Sequence, residues 1–597
     1  MNKRFLITTS LQNTWRNDVP VLFLGEWCRR FSQKEQWEDM DAEVLPYHWD
    51  NRVELHSDYL YLQDFNEELL YELSGKLNQI HGTKHSVRYW RILIGPWLGY
   101  FVQILFDRWS SIQDALDNFM ISGTIVLNYD KDLFVPDNMK DFIRLIYREA
   151  WNHNIYSNII KKYTNIPCKT ISNVQEFENL RIVHTPSFRN RVKQSFIAFC
   201  DKIASFFSRD TDAFLLNTYL SFINETRLHL SMKQIPRRIP EVPTITTSVD
   251  QSKRKWKLIG KKNQTEFESC VRNLIPQHIP TLYLEGFANL RSKVNNLSWP
   301  HKPKVIFTSS SYSTDDLFKL YAAEKTEKGI PLVIGQHGGG IGTHLWAFYE
   351  EHQLAICDSF LSWGWTDASE PKVKSIGQLK TKTPLGVQHS KKNGLMLVMV
   401  KLPVQSYHLF SAPIAGQWLD YFNDQCIFVD NLSDKIRERM TLRLKSDDLG
   451  WEPASRLKDR YPDIAIDEGN FNINNLIKKS RIYVSTYNAT SFLEAFTMNI
   501  PTIMFWNPNH WELKDAAIPY FNMLREVGIL YDSPEKAAKH VNSIWDNVDL
   551  WWESDILQST LNFFKKEYCH IPNDNIVKNI NFELNKIALN SKYVKNV

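Results

Sequence analysis

Apolar positions in the first thirty residues form two short runs, 5–9 and 21–24, separated by a polar loop, which predicts the opening strands of a sheet domain. The period then changes. Over 58–80 and 88–118, and again over 137–163 and 190–234, apolar residues recur at helical spacing, predicting a large helical elaboration. The stretch 90–106 is the most membrane-like of the chain. Arg91 near its start, Asp107 and Arg108 at its end, and Pro96 and Gln103 inside it leave it short of the roughly 20 apolar residues of a span. It predicts a buried helix.

Pro236, Pro240 and Pro243 prevent 236–243 from continuing a helix, because each removes a backbone donor and restricts its predecessor. That segment reads as a linker or an ordered crossing loop. Residues 251–300 return to helix and end at Trp299-Pro300-His301-Lys302-Pro303, the expected domain boundary. From Lys304 the pattern alternates strictly. Strands are predicted at 305–308, 331–335, 359–363, 395–400, 481–485 and 502–505. Helices are predicted at 315–328, capped by Ser313 or Thr314, and near 413–423, 431–440, 473–479 and 490–498. Such alternation implies a parallel sheet flanked by helices, a nucleotide-binding type of domain spanning 301–550, with helices over 551–597 packing back on the N-terminal 1–300.

Composition adds little against this picture. Hydrophobic residues make up 43% and charged residues 23%, the balance of a folded globular chain, and 597 residues exceed one core. A net charge of +4 without long basic blocks gives no sign of nucleic acid. Seven scattered cysteines lack metal-ligand spacing and fit reduced thiols in a cytoplasmic protein. The N-terminal residues lack the apolar region and cleavage site of a signal peptide, so export is not expected.

Three constellations carry candidate chemistry. Gln336-His337-Gly338-Gly339-Gly340 follows a strand, where glycines let backbone amides approach and cradle an anion. It lacks the dinucleotide and P-loop fingerprints, so neither NAD nor ATP is indicated. Glu350, Glu351 and His352 follow closely, then Asp358. Carboxylates and histidines beside a glycine loop supply what acid–base or nucleophilic glycosyl chemistry needs, and which one acts stays open. In the third, Ser485, Thr486 and Asn488 end a strand while Thr490 and Ser491 open a helix, a phosphate site at the positive end of a helix dipole. Glu494, one turn further in, would bind ribose hydroxyls. Arg443 and Lys445 occupy alternate positions and can point together at a diphosphate or a sugar carboxylate. Asp467-Glu468-Gly469 is similar to a short acidic turn of some bacterial sialyltransferases.

These motifs together resemble a family of transferases encoded in bacterial O-antigen and capsule regions. The resemblance rests on FLGEWC (23–28), YHWDNR (47–52), RYWRILIGPWL (88–98), FDRW (106–109), the GQHGG loop, FLSWGW, NATSFLEAF (488–496) and NIPTIMFW (499–506). The C-terminal half is also similar to retaining transferases that use CMP-activated acidic sugars such as Kdo and pseudaminic acid. Kdo transferases carry an aspartate nucleophile after the glutamine, whereas only glycines stand between His337 and Ile341 here. Retention would therefore move the nucleophile to Glu350, Glu351 or another carboxylate.

The resemblance implies an α/β GT-B glycosyltransferase of two Rossmann-like domains that transfers a nonulosonic acid from its CMP form to a glycan or lipid-linked glycan, possible peripheral inner-membrane association included. No cofactor beyond the CMP-sugar donor and no metal is expected, because amides and cations can stabilise the leaving phosphate. The N-terminal half, with Glu26 and Trp27, would meet the acceptor. A UDP- or GDP-sugar or polyol-phosphate donor, or a non-catalytic glycan-binding protein, are the alternatives.

Overall fold

The computed structural model describes residues 3–172, 188–243, 245–380, 394–572 and 575–590, with the side chains of 188–191 excepted. Sixteen strands in these residues form three sheets, every pair parallel. The first contains β1 (Arg4–Ile7), β2 (Val21–Phe23), β3 (Ala42–Val44), β4 (Ile121–Asn128) and β5 (Cys168–Ser172), in the order β3-β2-β1-β4-β5. The second contains β6 (Phe214–Leu216), β7 (Ile306–Thr308), β8 (Leu332–Gly335), β9 (Ser359–Ser362) and β10 (Val373–Ser375), in simple sequential order. The third contains β11 (Leu395–Val398), β12 (Met440–Arg443), β13 (Ala465–Asp467), β14 (Ile482–Ser485), β15 (Thr502–Phe505) and β16 (Leu530–Tyr531), in the order β13-β12-β11-β14-β15-β16.

The α/β class and the parallel sheets are those expected, and the first and third sheets have the strand order of Rossmann-like units. The sheets do not divide at residue 300, however. β6 lies in what was read as continuous helix over 190–234, and it pairs with β7 across the expected boundary, Phe214 opposite Ile306. Strands β7 to β9, read as one domain with β11 to β15, belong to the second sheet. A three-residue strand between two helical stretches is too short for period 2 to register.

The stretch 90–106 lies within the helix Val87–Asn118, whose Trp90, Trp97 and Phe101 are fully buried. At about 25 cal/mol per Å² and roughly 200 Å² per ring system, each tryptophan contributes about 5 kcal/mol before entropy costs. Among the described residues no helix is long and apolar enough to cross a membrane. Its polar interruptions have partners. Gln103 Oε1 accepts from Leu409 N at 2.6 Å, and Arg108, ion-paired with Asp107, donates to Ser406 O at 2.9 Å. Gly95 and Gly99 let the helix Phe348–Ile356 approach, since a Cβ on Gly99 would meet the Phe348 ring at 2.0 Å. The buried helix thus holds both the 405–409 loop and the segment bearing Tyr349.

The helix predicted at 315–328 spans Asp316–Thr326, and its cap is Asp315, whose side chain accepts from Phe318 N, rather than Ser313 or Thr314. All seven cysteines are free.

Candidate functional site

The carboxyl ends of the second and third sheets face each other across a cavity of about 1550 Å³. Ligands of open α/β sheets bind where strand order reverses. In the third sheet that point lies between β11 and β14, whose register sets Val398 opposite Ser485. The residues just beyond, Val400, Lys401, Tyr487 and Ala489, line the cavity, as do Asn217, Tyr219, Tyr312 and His337 beyond β6, β7 and β8.

Two of the expected constellations meet here. Gly339 N donates to Thr490 Oγ1 at 3.1 Å, and a Cβ on Gly339 would lie 2.6 Å from Ala489 O, so only glycine permits this backbone approach. His344 Nε2 lies 3.1 Å from Asn488 O and fixes the same junction from the other side. The helix Thr490–Thr497 begins at Ala489, which lines the cavity, with no side-chain cap on its first amides.

Lys445, which lines the cavity, has no hydrogen-bond or ion-pair partner among the described residues. Desolvation in the cleft lowers its ammonium below the usual lysine value, and Lys401, Lys380 and Arg443 lower it further, although the residue as a whole is exposed. Lys401 pairs with exposed Asp447 at 3.2 Å and Lys380 with Glu494 at 3.4 Å. A cationic group without a counter-charge and an uncapped helix N-terminus on one cavity are an arrangement that suits an anion.

His337 forms the floor. Desolvation takes its imidazole down to about 4, opposed by the Gln353 side chain, which favours the charged ring, so the ring is neutral at neutral pH. Its Nδ1 has no partner, and Tyr219, Tyr312 and Tyr349 surround the ring with centroids 6.1 to 6.4 Å away. His408 enters from the opposite side, stacked on Tyr100 at 4.6 Å and on Phe410 at 5.1 Å, with Nδ1 also without a partner. Desolvation takes it down to about 3. Tyr219 and Asn217 both hold positive φ, at 64° and 50°, a costly conformation for a bulky ring that is held by Ser309 N on Asn217 O and Ser309 Oγ on Thr218 O, both at 3.0 Å.

The other expected site residues serve the scaffold. Gln336 is 1% exposed, and its amide is spent on Gly338 O, Ile341 O, Trp363 N and Trp365 Nε1. Four bonds leave no free donor for a sugar carboxylate. Gly340 is filled by the His344 ring and only Gly338 faces open space, its nearest neighbour 3.9 Å from a built Cβ. Glu350 is 2% exposed, accepts from Gly342 N at 2.8 Å and pairs with Lys514, and Glu351 lies beside Tyr59; neither lines the cavity. Arg443 is neutralised by Asp467 and donates to Phe471 O at 2.9 Å, so it does not point freely with Lys445. Ser485 bonds Tyr487 O, Thr486 bonds Val398 O and Tyr421, Asn488 bonds Thr343, and Ser491 bonds Tyr487 Oη. Trp27 is buried with Nε1 on Thr8 O, Glu26 is paired with Arg29, and neither lies on the cavity.

Every cavity-lining carboxylate among the described residues is engaged. Asp201 binds Arg237, Glu225 binds Thr218, Asp315 caps a helix, Asp316 binds Lys319, and Glu241 at the rim meets Lys140. The sequence reading did not reach Tyr100, Tyr219, Tyr312, Tyr349, Tyr407 or His408. The aromatic run Tyr407-His408-Leu409-Phe410 was a visible signal, whereas the strained turn after β6 was not.

The model of the LIC12162 family transferases matches residues 4–583. No curated protein sequence matches it. Among solved structures, the chain is similar to MurG of Acinetobacter baumannii, at 11% identity over 50% of this chain and 77% of that one, with a TM-score of 0.29. It is similar to HepE of Anabaena in complex with UDP and glucose, at 12% identity over 54% and 88%, TM-score 0.31. A UDP-glucosyltransferase of Polygonum tinctorium matches at 9% over 63% and 98%, TM-score 0.32. Likeness at this level carries no argument about activity.

Proposed function

The chain belongs to the LIC12162 family of transferases, and we propose that it is a glycosyltransferase of the GT-B type that transfers a nonulosonic acid from its CMP-activated form to a glycan of the bacterial surface. One observation carries this reading: an uncapped helix N-terminus at Ala489, an unpaired lysine and a neutral histidine whose Nδ1 has no partner all line one large cavity between two parallel sheets. The resemblance of the sequence to CMP-sugar transferases supports the choice of donor. The unpaired charge of Lys445 suits an anionic group of the donor.

In this reading the donor phosphate rests on the first amides of the helix Thr490–Thr497 and on Lys445. Thr490 and Gly339 hold that corner rigid. A nitrogen of His337 accepts the proton of the acceptor hydroxyl as its oxygen bonds to the anomeric carbon. The bond from that carbon to the phosphate oxygen breaks, and the charge left on CMP is met by the amides and the lysine. Retention would require a carboxylate nucleophile, and the lining carboxylates are engaged, so the geometry favours single displacement with inversion. Glu350 and Glu351 are accordingly replaced by His337 as the acting group.

Thermal shift with CMP, UDP and GDP tests the proposal. At a ligand concentration of about a hundred times Kd, CMP stabilises the chain by about 2.7 kcal/mol, and Lys445→Ala reduces that shift. A shift with UDP or GDP alone transfers the reading to another donor class. No shift with any nucleotide contradicts it.

A further inference from the structure

The helix Phe188–Phe206 turns its apolar face away from the protein. Val192, Phe196, Phe199, Ile203 and Phe206 fall within an arc of about 80° at 100° per residue. That arc faces solvent: Phe196 is 67% exposed, Phe199 63% and Phe206 86%. Phe207 continues it, and Phe222 and Ile223 at the start of the neighbouring helix Phe222–Ser231 are exposed as well. The face turned inward holds Ile197 and the charged Asp201, which Arg237 binds through two bonds of 2.9 Å. This is the reverse of a helix packed on a core, and patches of this kind mark interaction sites.

The charge flanking the apolar arc is mainly basic. Residues 188–206 contain Arg189, Arg191, Lys193 and Lys202 against a single acid, Asp201, which is satisfied inside, whereas Arg209 beyond the helix pairs with Asp212 at 3.3 Å and Asp210 is exposed. Lys193, Lys202 and Arg209 are exposed, and the Arg238 guanidinium lies 5.7 Å over the Phe222 ring. A twofold contact between two copies would set these cations against themselves. An anionic, apolar surface complements both features.

We propose that this helix docks the protein on an anionic lipid bilayer, with the phenylalanines at the headgroup boundary and the lysines and arginines against anionic headgroups. The same helix is a wall of the cavity: Phe196, Ile197, Cys200 and Ala204 line it. Docking therefore sets this wall of the cavity beside the membrane surface, within reach of a lipid-borne acceptor. That last consequence rests on the proposed transferase reading, whereas docking does not.

Sedimentation of the full chain with vesicles tests this. The chain is expected to pellet with vesicles of roughly one part phosphatidylglycerol to three of phosphatidylcholine, to pellet at least tenfold less with pure phosphatidylcholine, and to be released as salt rises from about 0.1 to 0.5 M. Phe199→Ser with Phe206→Ser, both outside the cavity, should lower binding to the anionic vesicles at least tenfold while the melting temperature and the CMP shift stay as in the wild type. Lys202→Glu, which removes no apolar surface, should weaken binding in a salt-dependent way. Absence of binding to anionic vesicles, equal binding to both compositions, wild-type binding by the serine variant, or a dimer in solution dissolved by that variant would each overturn the proposal.

Discussion

The backbone amide of Gly339 donates to the hydroxyl of Thr490 at 3.1 Å, although 151 residues separate them. This bond joins the loop after β8 to the loop after β14, tying the second and third sheets together at the corner proposed to hold the donor phosphate.

The glycines at this corner should differ sharply. Gly339→Ala forces a methyl group to within 2.6 Å of the Ala489 carbonyl, a backbone atom that cannot step aside. Overpacking of this kind costs about 1–3 kcal/mol, and the two loops would part. Calorimetry should show a lower melting temperature together with loss of the CMP shift. Gly338→Ala, with nothing closer than 3.9 Å, should leave both unchanged.

Lys445 and Arg443, two positions apart, should separate binding from stability. Lys445→Ala removes an unpaired cation and is expected to weaken donor binding about tenfold, the worth of a charge-assisted bond near 1.5 kcal/mol, with little change in melting. Arg443→Ala strands Asp467, 7% exposed, and should lower stability instead. Isothermal titration and thermal melting on both variants distinguish these outcomes. The reverse pattern contradicts the assignment.

His337→Asn should reduce turnover by at least about 10²-fold, the lower range for loss of a general base, and leave the CMP-induced thermal shift intact. Because the imidazole sits down at about 4, the wild-type rate should hold as pH falls below 6.5 and decline only near 4. A limb at 6.5, or full activity in the variant, removes His337 from the reaction.

Acid should destabilise the protein well above the carboxylate range. His153, His278 and His352 are buried and held down at about 3 by desolvation, against 6.5 unfolded. Between these values the unfolded chain binds more protons, so stability is complete above 6.5 and is lost as pH falls toward 3. Denaturant titrations at about pH 7 and about pH 5 should differ by several kcal/mol. Equal midpoints contradict this.

Much of the α/β alternation was legible because β8, β9, β14 and β15 are short apolar runs bounded by turn residues. The glycine loop and the helix at Thr490 were also legible, since anion sites use few residue types. Their contact was not, because nothing in local sequence places residues 339 and 490 together. The carboxylates Glu350 and Glu351 misled for the same reason: a charged side chain near a motif in sequence carries no record of the lysine or tyrosine it meets in space. Gln336 was read as a ligand because local sequence carries no record that its four bonds are met by Trp363, Trp365 and the loop itself. His408 escaped notice because the helix Val87–Asn118, three hundred residues earlier, is what positions it.

A structure of the chain with CMP bound tests the central claim most directly. The phosphate is expected at hydrogen-bond distance from the first amides of the helix Thr490–Thr497 and from Lys445 Nζ, with the nucleotide inside the cavity lined by His337 and His408. CMP bound elsewhere, for example beside Glu26 on the first sheet, would contradict it.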